Sequence, residues 1–328
     1  MLHYPLNPKE QERVHTENLI FSLNTTMPVF LMMVVGYLLH KTPLLDDSFA
    51  NKMNNFVFKA ALPVQLFKNL ADADFHTVWN GKLVLFAFGV SLVSVFLMLG
   101  TSFFLKDKSM RAEFTQAGYR SSQALLGSAL LQNIYGTTGP LALILIGAVP
   151  LYNVAAVTLL TLMTPGGKLN RKTLLKALKG IVTNPIILGI VAGLLWSLLK
   201  IPQPVIFHRA VSSFAATATP LGLIALGASI DLKQAAACWK PTLVCSSFKL
   251  VIFVALFLPL AVWIGCRNEI LVTMLIMLGS PTTVSCFSMA RSMGHKGVLS
   301  SSTVMVTTLF SSFTFTAWLY LLKTLSLI

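Results

Sequence analysis

Long apolar runs follow one another along this chain with connections mostly under a dozen residues, and nothing else in the sequence limits the fold as strongly. A helix needs about 20 apolar residues to cross roughly 30 Å of hydrocarbon. Ten runs meet that length: 19–40, 53–71, 83–105, 114–135, 139–164, 182–200, 205–231, 241–265, 270–293 and 299–325. In lipid, only helices and closed barrels satisfy every backbone polar group. The runs lack the period-two alternation of barrel strands. The expected fold is therefore all-α and polytopic, with ten transmembrane helices.

Composition agrees. Of 328 residues, 55% are hydrophobic and 11% charged, against about 25% charged in soluble domains. That excludes an ordinary cytosolic enzyme and a disordered tail. The formal net charge of +14 does not require a nucleic-acid partner, because no basic stretch is interleaved with polar or aromatic readers. The cations gather instead in the connections after runs one, three, five, seven and nine, from Lys41 and Lys52 to Arg291 and Lys296. Cationic loops stay in the cytoplasm. Both termini are then outside the cytoplasmic membrane, with residues 1–18 an extracytoplasmic segment.

The densest basic loop, 165–181, alternates cations with leucines and reads as an amphipathic helix lying on an anionic inner leaflet. It divides the chain into two repeats of five runs, 19–164 and 182–328. Five is odd, so matching halves would insert in opposite orientations, as inverted-repeat transporters do. Matching features exist: Ala61-Leu62-Pro63-Val64 against Ala218-Thr219-Pro220-Leu221, and Glu113 against Glu269 at the openings of runs four and nine.

Runs four and nine are the most polar of their halves. The first contains Arg120, Ser121, Ser122 and Gln123; the second contains Ser280, Pro281, Thr282 and Thr283. Polar, proline- or glycine-interrupted segments at equivalent places point to broken helices around a central substrate site. Pro281 removes a backbone donor and ends the helix before it. The half-helix beyond offers unpaired N–H groups and a partial positive charge to an anion. The eight residues are candidate substrate ligands. The alternative is that these hydroxyls only bond within or between helices.

Several stretches resemble the auxin efflux carrier family in its bacterial form: Phe56-Val57-Phe58-Lys59-Ala60-Ala61-Leu62-Pro63, Thr183-Asn184-Pro185-Ile186-Ile187-Leu188-Gly189, residues 219–228, and run nine through Ala290. The resemblance spans nearly the whole chain. It implies a sodium/proton-antiporter-like 5+5 inverted repeat, with helices four and nine broken and crossing at the substrate site. It also implies an elevator-type movement against a homodimeric scaffold, and organic-anion cargo such as auxins or the dicarboxylates malate and malonate. Two positions depart from the family pattern. Ser122 stands where an Asn is usual and Ala129 where a Pro is usual, so the break in run four is expected to rest on Gly127 and the serines.

Ionisable groups inside a span are functional candidates because they are expensive there. Three cations qualify and no mid-span acid does. Lys59 is close enough to the cytoplasmic end to snorkel. Arg120 lies about 10 Å past Glu113 at 1.5 Å per residue. It could hold a carboxylate in bidentate fashion or pair with Glu113. Lys249, in the middle of run eight, could substitute for a bound sodium ion, take part in coupling, or donate to carbonyls of the broken helices. Without an intramembrane carboxylate, potential-driven anion movement fits better than acid-based cation exchange, with sodium-coupled symport the alternative. Gly189 and Gly193 form a GxxxG suited to close helix contact, within one subunit or between two.

The expected partners are a small organic anion, the bilayer and a second copy of the chain. No cofactor or metal is implied: Cys238, Cys245, Cys266 and Cys286 have no ligand spacing. A membrane enzyme would need a nucleophile–base pair or metal set, and no HExxH, GxSxG or paired intramembrane carboxylate occurs. A transport-inactive sensor or assembly subunit on the same fold is the remaining rival.

Overall fold

Helix α1, Leu31–His40, packs so closely on a later helix that Gly36 faces the backbone of Ile224 and Gly227 faces that of Met33. The architecture is a computed structural model describing residues 28, 31–72, 80–123, 131, 134–135, 139–163, 171–229 and 232–328. The expected N-terminal segment, 1–18, lies outside these residues.

All regular secondary structure among the described residues is helical. Helix α2 runs as Asp47–Phe56, a π turn Val57–Ala61 and Leu62–Ala71. Asp46 caps it by accepting from the Phe49 N–H at 2.7 Å. Pro63 has no N–H to give to the preceding turn, and the wider π turn just before it absorbs that loss. Helix α3 is Gly81–Ser102 and α4 is Arg111–Tyr119. Helix α5 is Gly139–Leu162 and α6, on the basic loop, is Arg171–Val182. Helix α7, Pro185–Leu198, starts at the Asn-Pro pair for a physical reason. Asn184 Oδ1 accepts from the Ile186 N–H at 2.9 Å, and Pro185 occupies a first-turn position where a missing N–H costs nothing. Then follow α8 Val205–Ala228, α9 Leu232–Ala237, α10 Trp239–Trp263, α11 Asn268–Gly279, α12 Val284–Ser292 and α13 Val298–Thr324.

Among the described residues, six stretches are long and apolar enough to cross a membrane: α3, most of α5, α8, α10, α11 with α12, and α13. Helices α1 and α7 are apolar but shorter. The outer surface carries bare side chains such as Leu85, Phe96, Phe104, Ile206 and Trp263. The interior is partly polar: α13 buries Ser300, Ser301, Ser302, Thr303, Thr307, Thr308, Ser311 and Ser312. Many of these hydroxyls donate to carbonyls one turn back, Thr303 to Leu299 at 2.8 Å and Thr307 to Thr303 at 2.7 Å. Small hydroxylated residues thus let helices approach while keeping their polar atoms satisfied.

The GxxxG on α7 packs within the chain. A β-carbon on Gly189 would fall 2.4 Å from the Pro63 carbonyl oxygen, and one on Gly193 2.6 Å from that of Phe67. The obstacle is backbone, which cannot rotate aside. Gly189→Ala is expected to destabilise the protein by about 2 kcal/mol or more through overpacking. Thermal unfolding in detergent measures this; an unchanged midpoint would show that α2 and α7 are less closely packed.

Candidate functional site

Two helices stop in mid-protein and the gaps meet. Helix α4 ends where Arg120 turns extended (φ −75°, ψ 133°), and α11 ends at Ser280, also extended (φ −61°, ψ 149°). The Ser122 N–H donates to the Pro281 carbonyl at 2.9 Å. Thr282 Oγ1 donates to the Ala117 carbonyl at 2.7 Å, and Ser121 Oγ donates to the Met277 carbonyl. Gln116 Nε2 reaches the Cys286 carbonyl at 3.1 Å, and the Thr282 N–H reaches Thr307 Oγ1 at 3.0 Å. Some of the carbonyls and N–H groups that lose their partners where a helix breaks are thereby satisfied across the two breaks, and the Thr282 N–H by α13.

A broken helix presents two dipole ends in place of a continuous ladder. The carbonyl end of α11 is met by Lys249, which is 1% exposed, stands on a π turn of α10 (Phe248–Ile252) and donates from Nζ to the Leu278 carbonyl. The N–H end of α12 opens at Thr283, Val284 and Ser285 on the wall of a cavity. A positive helix end faces the cavity, while the ammonium covers the negative end behind it.

Arg120 is on the same wall and 2% exposed. Its guanidinium donates to Ser285 Oγ at 2.7 Å, Asn153 Oδ1 at 3.1 Å and the Met289 sulfur at 3.3 Å, while Nε has no partner. All three acceptors are neutral. Glu113, two turns earlier, does not neutralise it. That carboxylate accepts from the Gly297 N–H at 2.8 Å, the Ser300 N–H at 3.1 Å and Ser300 Oγ at 3.2 Å. It caps the start of α13. Among the described residues the ion pairs are His40–Asp47, Lys68–Asp72 and His208–Asp72, none of them at the cavity.

Of the residues singled out from sequence, Arg120, Ser121, Ser122, Gln123 and Thr283 line the cavity. Ser280, Pro281 and Thr282 lie in the opposite break. Ser280 Oγ bonds the Ile276 carbonyl at 2.5 Å, and the Pro281 carbonyl and the Thr282 hydroxyl tie the two breaks together. Lys249 stands behind the break, not on the wall. The interruption of the first helix falls at 120–122, ahead of Gly127, which lies outside the described residues. Lys59 is exposed on the π turn of α2.

Sequence reasoning missed several wall residues: Asn153 and Tyr152 on α5, Gln65 and Asn69 on α2, Thr219 on α8, and Ser285 on α12. A signal existed for Asn153, an amide alone in an apolar run. Gln65 and Thr219 face each other, Gln65 Nε2 donating to Thr219 Oγ1 at 3.2 Å. They follow and precede the two prolines, Pro63 and Pro220, whose matched positions were visible.

The family model described as membrane transport protein matches residues 21–319. A Rhizobium meliloti (strain 1021) protein provisionally named a malonate transporter is 26% identical over 306 residues, covering 90% of this chain and 94% of its own. Among solved structures, the sodium proton antiporter MjNhaP1 of Methanocaldococcus jannaschii at pH 8 is similar with a TM-score of 0.60. It is 14% identical, and the match covers 95% of this chain and all of that one. At that identity the likeness is one of fold.

Proposed function

The chain belongs to the membrane transport protein family, the auxin efflux carrier relatives, as an integral membrane transporter and not an enzyme, and from that premise we propose that it is a secondary carrier of small organic anions. One observation carries this reading. Arg120 holds a buried positive charge on the cavity wall with only neutral acceptors around it. An unpaired buried charge is costly, and a carboxylate entering the cavity would supply the missing counter-charge through a charge-assisted, two-pronged contact. The N–H end of α12 adds its own attraction for an anion.

In this reading Ser121, Ser122, Gln123 and Thr283 join Arg120 in holding the substrate. Ser280, Pro281 and Thr282 keep the two breaks apposed. The apposition of the breaks, together with the antiporter-like fold, supports a ten-helix 5+5 inverted repeat over 19–164 and 182–328, with crossed helices at the centre. We place the chain in the cytoplasmic membrane with both termini outside, from the basic loops, and assign it an elevator-type movement on a homodimeric scaffold, from the family. The α7 GxxxG is occupied by α2, so the dimer contact would use another face.

Lys249 takes the place of a sodium ion in this scheme: its ammonium covers the Leu278 carbonyl where a helix break would otherwise attract a metal cation. The test is uptake of labelled malonate, malate or indole-type acids into liposomes containing the purified protein, with sodium or potassium as the external cation. Saturable, potential-driven uptake that is equal in both media is expected. No uptake of any organic acid would overturn the carrier reading, and a strict sodium requirement would overturn the role of Lys249.

A further inference from the structure

The described part of the cavity wall carries one formal charge. Among the described lining residues, Arg120 is the ionisable cation and no acid stands beside it. The sequence from 124 to 130 contains no ionisable side chain. The other buried cation of the core, Lys249, is committed to the Leu278 carbonyl and is not on the wall.

The rest of the polar lining is uncharged and has spare hydrogen-bonding capacity of both kinds. Gln123 is 1% exposed, and neither its Nε2 nor its Oε1 has a partner among the described residues. An unsatisfied buried amide is a strong requirement on a ligand: Nε2 needs an acceptor and Oε1 needs a donor. Asn69 and the Gln65–Thr219 pair add amide and hydroxyl groups to the same cavity. A carboxylate can accept from Nε2, but it has no hydrogen to give Oε1. A second ionised carboxylate would also sit in a desolvated space without its own cation.

We infer that the cavity selects a carboxylic acid bearing a single charge, with an uncharged hydrogen-bond donor such as a carboxamide or hydroxyl at its other end, over a dicarboxylate dianion. The inference rests on the organic-anion reading above and narrows it. The charged end goes to Arg120 and the α12 N-terminus, and the neutral end satisfies both atoms of Gln123.

The test is a three-member panel built on one short carbon chain: the diacid, its monoamide and its diamide. Binding is followed by thermal shift and by competition with uptake at about pH 8, well above the carboxyl range. The monoamide is expected to bind at least about tenfold tighter than the diacid, and the diamide not to bind. In Gln123→Leu the preference for the monoamide over the diacid should shrink towards unity. A diacid that binds as tightly as the monoamide in the wild type overturns this inference while leaving the anion-carrier reading intact. A diamide that binds as tightly as the monoamide overturns both. A panel in which nothing binds overturns the inference, and the carrier reading then stands or falls on the wider set of acids.

Discussion

Arg120→Ala is expected to abolish saturable uptake of organic acids while leaving a folded protein. The guanidinium is the one fixed charge among the described cavity residues, and it is held in place by Ser285 and Asn153, groups that orient it without neutralising it. Truncating one partner of a buried charge pair typically costs about 3 kcal/mol, or roughly a hundredfold in affinity. Arg120→Lys should recover only part of the loss, because an ammonium is a point charge without the planar fork that meets a carboxylate twice. Stability should move differently from transport. In the substrate-free protein Arg120 is a buried charge facing neutral acceptors, so the similarly sized apolar substitution Arg120→Met is expected to leave the unfolding midpoint unchanged or raise it. Organic acids should raise the midpoint of the wild type but not that of either uncharged variant. Undiminished uptake by Arg120→Ala would remove the guanidinium from the site. A collapse in the stability of Arg120→Met would reassign it to a structural role.

What was legible beforehand follows the physics of the bilayer. A charge inside an apolar run is conspicuous, so Arg120 and Lys249 stood out, and the polar residues clustered beside Arg120 came with it. The apolar runs are largely helical where the structure describes them, though the start of α7 at Pro185, three residues into its run, was not read from the sequence. The wall contributed by α2, α5 and α8 was harder to see. Gln65, Asn69, Asn153 and Thr219 are single polar residues spread over three helices, and only the fold brings them to one cavity. Sequence could not divide labour within run nine either. Ser285, which bonds Arg120, lies just past the break, whereas Ser280 and Thr282 spend their hydroxyls on backbone carbonyls. Those assignments depend on which way a residue faces after the helix has broken, and helical periodicity stops carrying information at that point.

The arrangement separates two jobs that a charged residue can do in a membrane. Lys249 and Glu113 serve helix ends: the ammonium meets the carbonyl end of α11, and the carboxylate meets the N–H end of α13. Both complement a dipole, and both are thereby used up. Arg120 has no such end to serve. In the proposed carrier its surplus positive charge is what the anion would use.

Glu113→Ala is accordingly expected to have the largest effect on stability. The carboxylate is buried and receives three hydrogen bonds, two of them from backbone N–H groups at the start of α13, whose preceding residue, Gly297, is in the left-handed region (φ 75°) and provides no side-chain cap. Alanine would leave these donors buried without partners and remove the anion that complements the helix dipole. Together these losses amount to about 3 kcal/mol or more. Glu113→Gln retains a carbonyl acceptor but no charge and should lie between alanine and the wild type. The comparison is made by thermal or denaturant unfolding in detergent. A further readout separates lost capping from a mere cavity: a small carboxylate such as formate fits the space vacated in Glu113→Ala and should raise its midpoint while leaving the wild type unaffected. If alanine unfolds within about 0.5 kcal/mol of the wild type, the range of ordinary surface substitutions, Glu113 is not what fixes α13 to α4.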